Sequence, residues 1–315
     1  MIGENSSDRD VQGWLNALVA FGWWGFIFPM VIVWAEHAAA GYIDNKVRWV
    51  LEVLGLRIIF CLLFCLGLLG VTGKLKLLLD VFRSRKLVLW FALTAFLIFL
   101  NWFGFIIGVA TDNLSQASLG YYMGPLFNVL LGYLFLSEKL RRTQLIAVIV
   151  AGLGVLWLTY KAGEFPWISL CLATSFGFYG LARKKTAVDS VVGMSMECIF
   201  CLPLCIGIIV YFANQPAGLV FLKGPDLLRW IFVFMGPATA IPLICFAIAA
   251  RRLRLGTLGF IQFIAPTGQF VLSLFFDDKP FHVEKLIGYS FVWLAVTLYL
   301  FDLWANQKKS RASKG

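Results

Sequence analysis

The chain has 315 residues, 60% of them hydrophobic and 14% charged, with a formal net charge of +10. A water-soluble domain of this length carries about a quarter charged residues, so the composition argues against one. The excess of Lys and Arg falls in alternate loops between apolar runs, where membrane topology requires it, and no nucleic-acid partner is expected.

Residues 1–13 are polar and include Asp8, Arg9 and Asp10, unlike the basic start of a signal peptide. Apolar runs of roughly 17–22 residues follow, long enough to cross a hydrocarbon core. They predict helices at 14–34, 49–71, 87–109, 114–136, 144–160, 165–182, 191–212, 227–249, 256–276 and 285–304. Lipid offers the backbone no hydrogen bonds, so such runs close their own as helices. The expected fold is an all-α membrane protein of ten transmembrane helices.

The first span carries Gly22-Trp23-Trp24-Gly25. The second carries Glu52, Arg57, Cys61 and Cys65, and the third Asn101-Trp102. The fourth holds Tyr121, Tyr122, Pro125 and Asn128. The sixth holds Gly177-Phe178-Tyr179-Gly180, the seventh Glu197, Cys201 and Cys205, and the ninth Gln262, Pro266 and Gln269.

The loops are sorted by charge. With the N-terminus inside, the inside loops and tails hold Lys74, Lys76, Arg83, Arg85, Lys86, Lys139, Arg141, Arg142, Arg183, Lys184, Lys185, Arg251, Arg252 and Arg254, together with Arg9 and four residues of the C-terminal tail. The outside loops hold only Lys46, Arg48, Lys161, Lys223, Arg229, Lys279 and Lys285. Both termini are therefore expected in the cytoplasm of a bacterial cell, with the chain in its inner membrane.

Short motifs recur in order. Trp23-Trp24 between two glycines answers Phe178-Tyr179, Ile59-Phe60-Cys61-Leu62 answers Ile199-Phe200-Cys201-Leu202, and Ser118-Leu119-Gly120-Tyr121 answers Thr257-Leu258-Gly259-Phe260. This predicts two five-helix halves, 1–160 and 161–315. Five is odd, so the second half is inverted, an arrangement that places a solute site near mid-membrane in many secondary transporters.

The repeat aligns Arg57 with Glu197. Charges inside spans are costly and tend to face a bundle interior or an aqueous path. Either the two line opposite ends of one pathway and hold a zwitterionic solute, or they merely lock helices. Glu52 lies about 140° around the helix from Arg57. It reads as an interfacial carboxylate or as a proton-coupling group at the outer mouth. Asn101, Tyr121 and Gln262, with the Pro125 and Pro266 kinks, mark either the site or interhelical hydrogen bonds. Trp24, Trp102 and Tyr179 are candidates for an aromatic cavity suited to planar or cationic solutes, and close helix packing is the plainer explanation of their flanking glycines.

No cofactor or metal site is expected. The seven cysteines lie in apolar runs, far in sequence from His37 and His282. The GLLGVTGK stretch, residues 67–74, lacks the spacing and the Ser/Thr of a phosphate-binding loop. No acid, base and metal constellation suggests an enzyme.

The chain resembles the RarD branch of the EamA-type drug/metabolite transporter superfamily. The resemblance rests on Asn101-Trp102; on Ala117 to Tyr121 with Pro125-Leu126 and Asn128; and on Phe178 to Leu181 with Arg183 to Lys185. It rests further on Gly193-Met194 with Glu197, Pro242-Leu243 with Cys245-Phe246, Arg252 to Leu255, Thr257 to Phe260, and Pro266-Thr267. Glu52 and Arg57 sit at matching spacing, and Asp277-Asp278-Lys279-Pro280 departs from the pattern. The resemblance implies ten helices, a central cavity formed by spans 1–4 and 6–9, and peripheral spans 5 and 10. It implies a secondary transporter for a small-molecule solute and does not fix the cargo; the Arg57 and Glu197 charges and the aromatic residues favour a zwitterionic or aromatic one, such as an amino acid, an S-adenosylmethionine-like metabolite or an amphenicol-type drug. A membrane ligand sensor or assembly subunit is the alternative, and a homodimer stays open.

Overall fold

A computed structural model describes residues 6–111, 114–163, 165–276 and 283–312. Helix α1 (Ser6–Gly22) passes through a π-helical turn (Trp23–Ile27) into α2 (Phe28–Ala38). Then come α3 (Lys46–Val71), α4 (Leu75–Arg83), α5 (Arg85–Ala110), α6 (Leu114–Leu136), α7 (Arg142–Ala162), α8 (Trp167–Lys184) and α9 (Ser190–Ala213). The rest are α10 (Val220–Lys223), α11 (Asp226–Arg252), α12 (Leu255–Gln262), α13 (Ile264–Phe276) and α14 (Val283–Ala312). The described residues contain no strand. The departing turn 277–280 and His282 lie outside them.

Nine helical segments among the described residues are long and apolar enough to cross a membrane, the first running unbroken from Asp10 to Ala38. The chain is an all-α membrane protein. The expected sixth span corresponds to α8, which is not among the nine. Its 18 residues end in Arg183 and Lys184, which lower its mean hydropathy, and along its length it buries Ser169, Ser175, Gly177 and Gly180. It packs against α5, α6 and α11, so small residues serve close helix contact there better than lipid-facing bulk.

Two prolines reshape the helices beside the centre. Pro29 has no N–H to give the Gly25 carbonyl, and its ring crowds that carbonyl. The chain answers with the π-helical turn, where the Phe28 N–H bonds back to the Trp23 carbonyl. Pro266 stands four residues after Gln262 and does the same to it; the helix breaks at Phe263. The two breaks touch. A Cβ on Gly268 would lie 2.9 Å from the Gly25 carbonyl oxygen, and one on Gly25 3.0 Å from the Ile264 oxygen, so only glycine permits this approach. Gln269 Nε2 donates to the Trp24 oxygen at 3.2 Å, satisfying a carbonyl in the π-helical turn.

The stretch between the second and third spans is not a plain loop. Helix α4 buries Leu78 and Val81 and exposes Leu75, Leu77, Leu79 and Phe82 beside Lys76 and Arg83. That mixture fits a helix lying in the membrane interface.

The long helices pair off: α3 with α9 and α11, α1 with α11, α5 with α8, α6 with α8 and α12, and α7 with α14. The α7–α14 pair packs on α6 and α12, through a separate apolar cluster that includes Ala147, Ala151, Val292 and Tyr299. At the basic end, chain crossings are pinned by charge. Lys74 Nζ reaches Asp189 Oδ2 at 2.8 Å and Arg141 Nε reaches Asp302 Oδ2 at 2.6 Å. Arg251 donates to the Val188 oxygen at 2.8 Å and to Ser190 Oγ at 2.6 Å, while Lys184 bridges to the Ala250 and Leu253 carbonyls. Asp189 also caps α9. Burial pushes its carboxyl up, but Lys74 and the Val191 and Val192 amides outweigh this and hold it below the usual carboxylate range.

Candidate functional site

The centre of the bundle holds a cavity of about 580 Å³. Its walls come from α1 to α3, α5, α6, α8, α11, α12 and α13. Neither α7 nor α14 contributes. Helix α9 contributes none either, although spans 6–9 were expected to share the wall. It packs along α3 and α5, bringing Cys198 Sγ within 3.6 Å of Cys61 Sγ; both thiols are free.

The cavity has a mouth and a floor. Glu36 and Lys46, both exposed, line it where α2 ends and α3 begins. Phe21, Trp24, Phe176 and Leu243 line it at depth. Beneath them Phe246, fully buried, stacks on Tyr179 (6.0 Å between centroids) and meets Phe176 (4.9 Å), Phe21 (6.0 Å) and Trp24 (6.1 Å). Rings from α1, the π-helical turn, α8 and α11 thus close the lower end.

Below this plug lies a buried charge cluster. Tyr179 Oη donates to Glu197 Oε2 at 3.1 Å, and Arg183 Nη1 meets Glu197 Oε1 at 3.4 Å. Arg183 also donates to the Ser190 oxygen at 3.2 Å, and it lies over Phe91. Arg183 and Glu197 are 3% and 1% exposed, so both charges have left water together. Glu197 and Tyr179, expected among the solute ligands, therefore sit under the cavity and not in its wall. Glu197 has Arg183 as its partner in place of Arg57.

Arg57 does line the cavity. It stands eleven residues into α3, about 16 Å along the helix from Lys46. Its guanidinium lies over Trp102 (4.9 Å to the ring centroid) and Phe28 (5.7 Å), an arrangement that attracts a cation to the ring faces. Trp24, Trp102, Tyr121, Asn101 and Gln262 share the wall. The last two are already engaged. Asn101 Nδ2 donates to the Leu172 oxygen at 2.9 Å and to Ser175 Oγ at 3.3 Å, joining α5 to α8. Gln262 Oε1 accepts from Asn128 Nδ2 at 2.8 Å, joining α6 to α12.

Glu52 faces away from the cavity. It is fully buried and accepts from the Val220 and Phe221 amides at 3.1 and 2.7 Å, holding the short helix α10 against α3. It is neither a snorkelling surface carboxylate nor a group at the cavity mouth. Sequence reasoning missed Glu36, Phe28 and Phe246. Glu36 looks like an ordinary helix-end charge. The floor role of Phe246 follows from where α11 crosses α1 and α8.

Residues 13–160 match the EamA-like transporter family. The protein RarD of Salmonella typhimurium is 37% identical over 95% of this chain and 97% of its own length. The uncharacterized transporter YojE of Bacillus subtilis is 36% identical, over 96% of this chain and 97% of its own. The chloramphenicol-sensitive protein RarD of Pseudomonas aeruginosa is 30% identical over 75% of this chain and 77% of its own. One protein crystal structure superposes with a TM-score of 0.63 at 16% identity, covering 93% of this chain and 96% of that one, and speaks for the fold alone. With near-full-length relatives at this identity, the chain belongs to the EamA-like transporter family as a RarD-like membrane transporter.

Proposed function

We propose that the chain is a secondary transporter that moves a small organic solute across the bacterial inner membrane by alternating access, held here with its cavity open to the outside. One observation carries this reading: a central cavity lined to its mouth and sealed at its other end by aromatic rings over a buried ion pair. The Lys and Arg distribution supports cytoplasmic termini and an outward mouth between Glu36 and Lys46. A ten-span arrangement counts α8 as the sixth, a helix whose mean hydropathy is lowered by Arg183 and Lys184 at its end.

An inverted repeat of residues 1–160 and 161–315 has support in the packing. The α5–α8 pair is the counterpart of the α11–α1 pair. The α6–α8 pair answers the contacts of α12 and α13 with the first span, and α3–α9 and α7–α14 each map onto themselves. The family match also ends at residue 160. In this scheme the plug of Phe246, Tyr179 and Trp24 parts as the mouth closes, and the Glu197–Arg183 pair belongs to the inner seal and not to the solute.

The test needs no known solute. In proteoliposomes, a Phe176→Cys variant built with Cys171→Ser and Cys245→Ser, which removes the two half-buried native thiols, should react with a membrane-impermeant maleimide applied from either side, above the background of the five buried ones. Labelling from one side only would leave a receptor with a fixed pocket, and the transport reading would fail.

A further inference from the structure

A guanidinium deep in a membrane protein is expected to meet a carboxylate, a carbonyl or water. Arg57 has no ion pair among the described residues, and its buried Nε has no hydrogen-bond partner. Every nearby acid is accounted for elsewhere. Glu197 is taken by Arg183 and Tyr179, and Glu52 by two backbone amides. Glu36 lies eight residues past Phe28, about 12 Å further toward the mouth.

The rings of Trp102 and Phe28 hold the cation in place without neutralising it. The exposed part of the side chain lies in the cavity. An arginine fork fixed in that way presents parallel N–H donors, the geometry a carboxylate takes best. We propose that Arg57 receives the carboxylate of an amphipathic organic monoanion whose apolar body lies against Trp24, Phe28, Trp102 and Phe176. A monoanion fits because Arg57 is the one cation at that depth of the wall among the described residues; Asn101 Nδ2 is engaged with α8 and Gln262 Oε1 with Asn128, and neither amide brings a charge. Lipid headgroups do not reach a residue about 16 Å along the helix from Lys46. A zwitterion held between Arg57 and Glu197 would find no partner for its ammonium group, since Glu197 lies beneath the floor and is taken by Arg183.

This inference rests on the cavity being the solute site. Its test is titration calorimetry on the purified full-length protein in detergent, with three probes that share one skeleton. These are 3-phenylpropionate, L-phenylalanine and 3-phenylpropanamide, bearing an anionic, a zwitterionic and a neutral end. The expected result is that 3-phenylpropionate binds at least about tenfold tighter than the other two. Arg57→Gln should erase that preference while keeping the affinity for the amide, which shows the variant folded; Arg57→Lys should keep part of it. Equal affinities, tightest binding of L-phenylalanine, a preference that survives Arg57→Gln, or no binding of any probe would overturn the proposal. The outcome is separable from the transport reading. A selective carboxylate site with one-sided labelling of Phe176→Cys keeps the anion receptor and removes the transporter. Two-sided labelling without anion preference does the reverse.

Discussion

Two buried carboxylates divide into separate tasks once their partners are known. Glu197 is balanced by Arg183, so removing one charge strands the other. Glu197→Gln should lower stability by about 3 kcal/mol, and Glu197→Gln with Arg183→Met should recover part of it, read as melting temperatures in one detergent. Glu52 holds backbone amides. Glu52→Ala should speed hydrogen exchange at Val220 and Phe221, and Glu52→Gln should leave the pH profile of uptake unchanged. A displaced pH profile would return Glu52 to the proton-coupling role. The two carboxylates were legible in the sequence because each interrupts an apolar run. Their partners were not. Arg183 reads as one more basic loop residue, and the amides that hold Glu52 have no side-chain signature.

At the scale of helices, prolines and glycines set the shape of the cavity wall. The kinks at Pro125 and Pro266 were visible as residues, and Pro266 coincides with a real break. The π-helical turn before Pro29 was hidden inside a run that reads as uninterrupted helix. Gly268→Ala pushes a methyl to within 2.9 Å of the Gly25 oxygen, and should cost about 1–3 kcal/mol while impairing transport more than binding. The floor makes a different prediction. Phe246→Ala removes the ring that Tyr179, Phe176, Phe21 and Trp24 all meet. It should destabilise the protein by about 3–5 kcal/mol and raise solute leak through proteoliposomes. The Lys74–Asp189 contact ties the α3–α4 turn to the start of α9. Because the Asp189 carboxyl is held below its unfolded value, its contribution is complete above that value, near pH 4, and fades as pH falls through the folded one. A melting curve followed against pH should therefore show no loss from this contact near neutrality, and Asp189→Asn should remove it at every pH.

Over the whole molecule, the all-α membrane class followed from hydropathy, which finds nine spans among the described residues. Helix α8 falls short of a span because its 18 residues end in Arg183 and Lys184, which lower its mean hydropathy. The motif repeats aligned Arg57 with Glu197 and placed them toward opposite ends of one pathway, holding one solute between them. In the folded chain Arg57 lines the cavity and Glu197 lies under its floor, so the two do not face the same solute. The shared wall and the sealed end together support a carrier over a sensor. Counterflow decides between them most directly. Proteoliposomes loaded with unlabelled 3-phenylpropionate should take up the labelled compound transiently above its equilibrium level, and the Arg57→Gln variant should not. Saturable, Arg57-dependent binding with no counterflow would make the protein a membrane receptor and end the transport reading.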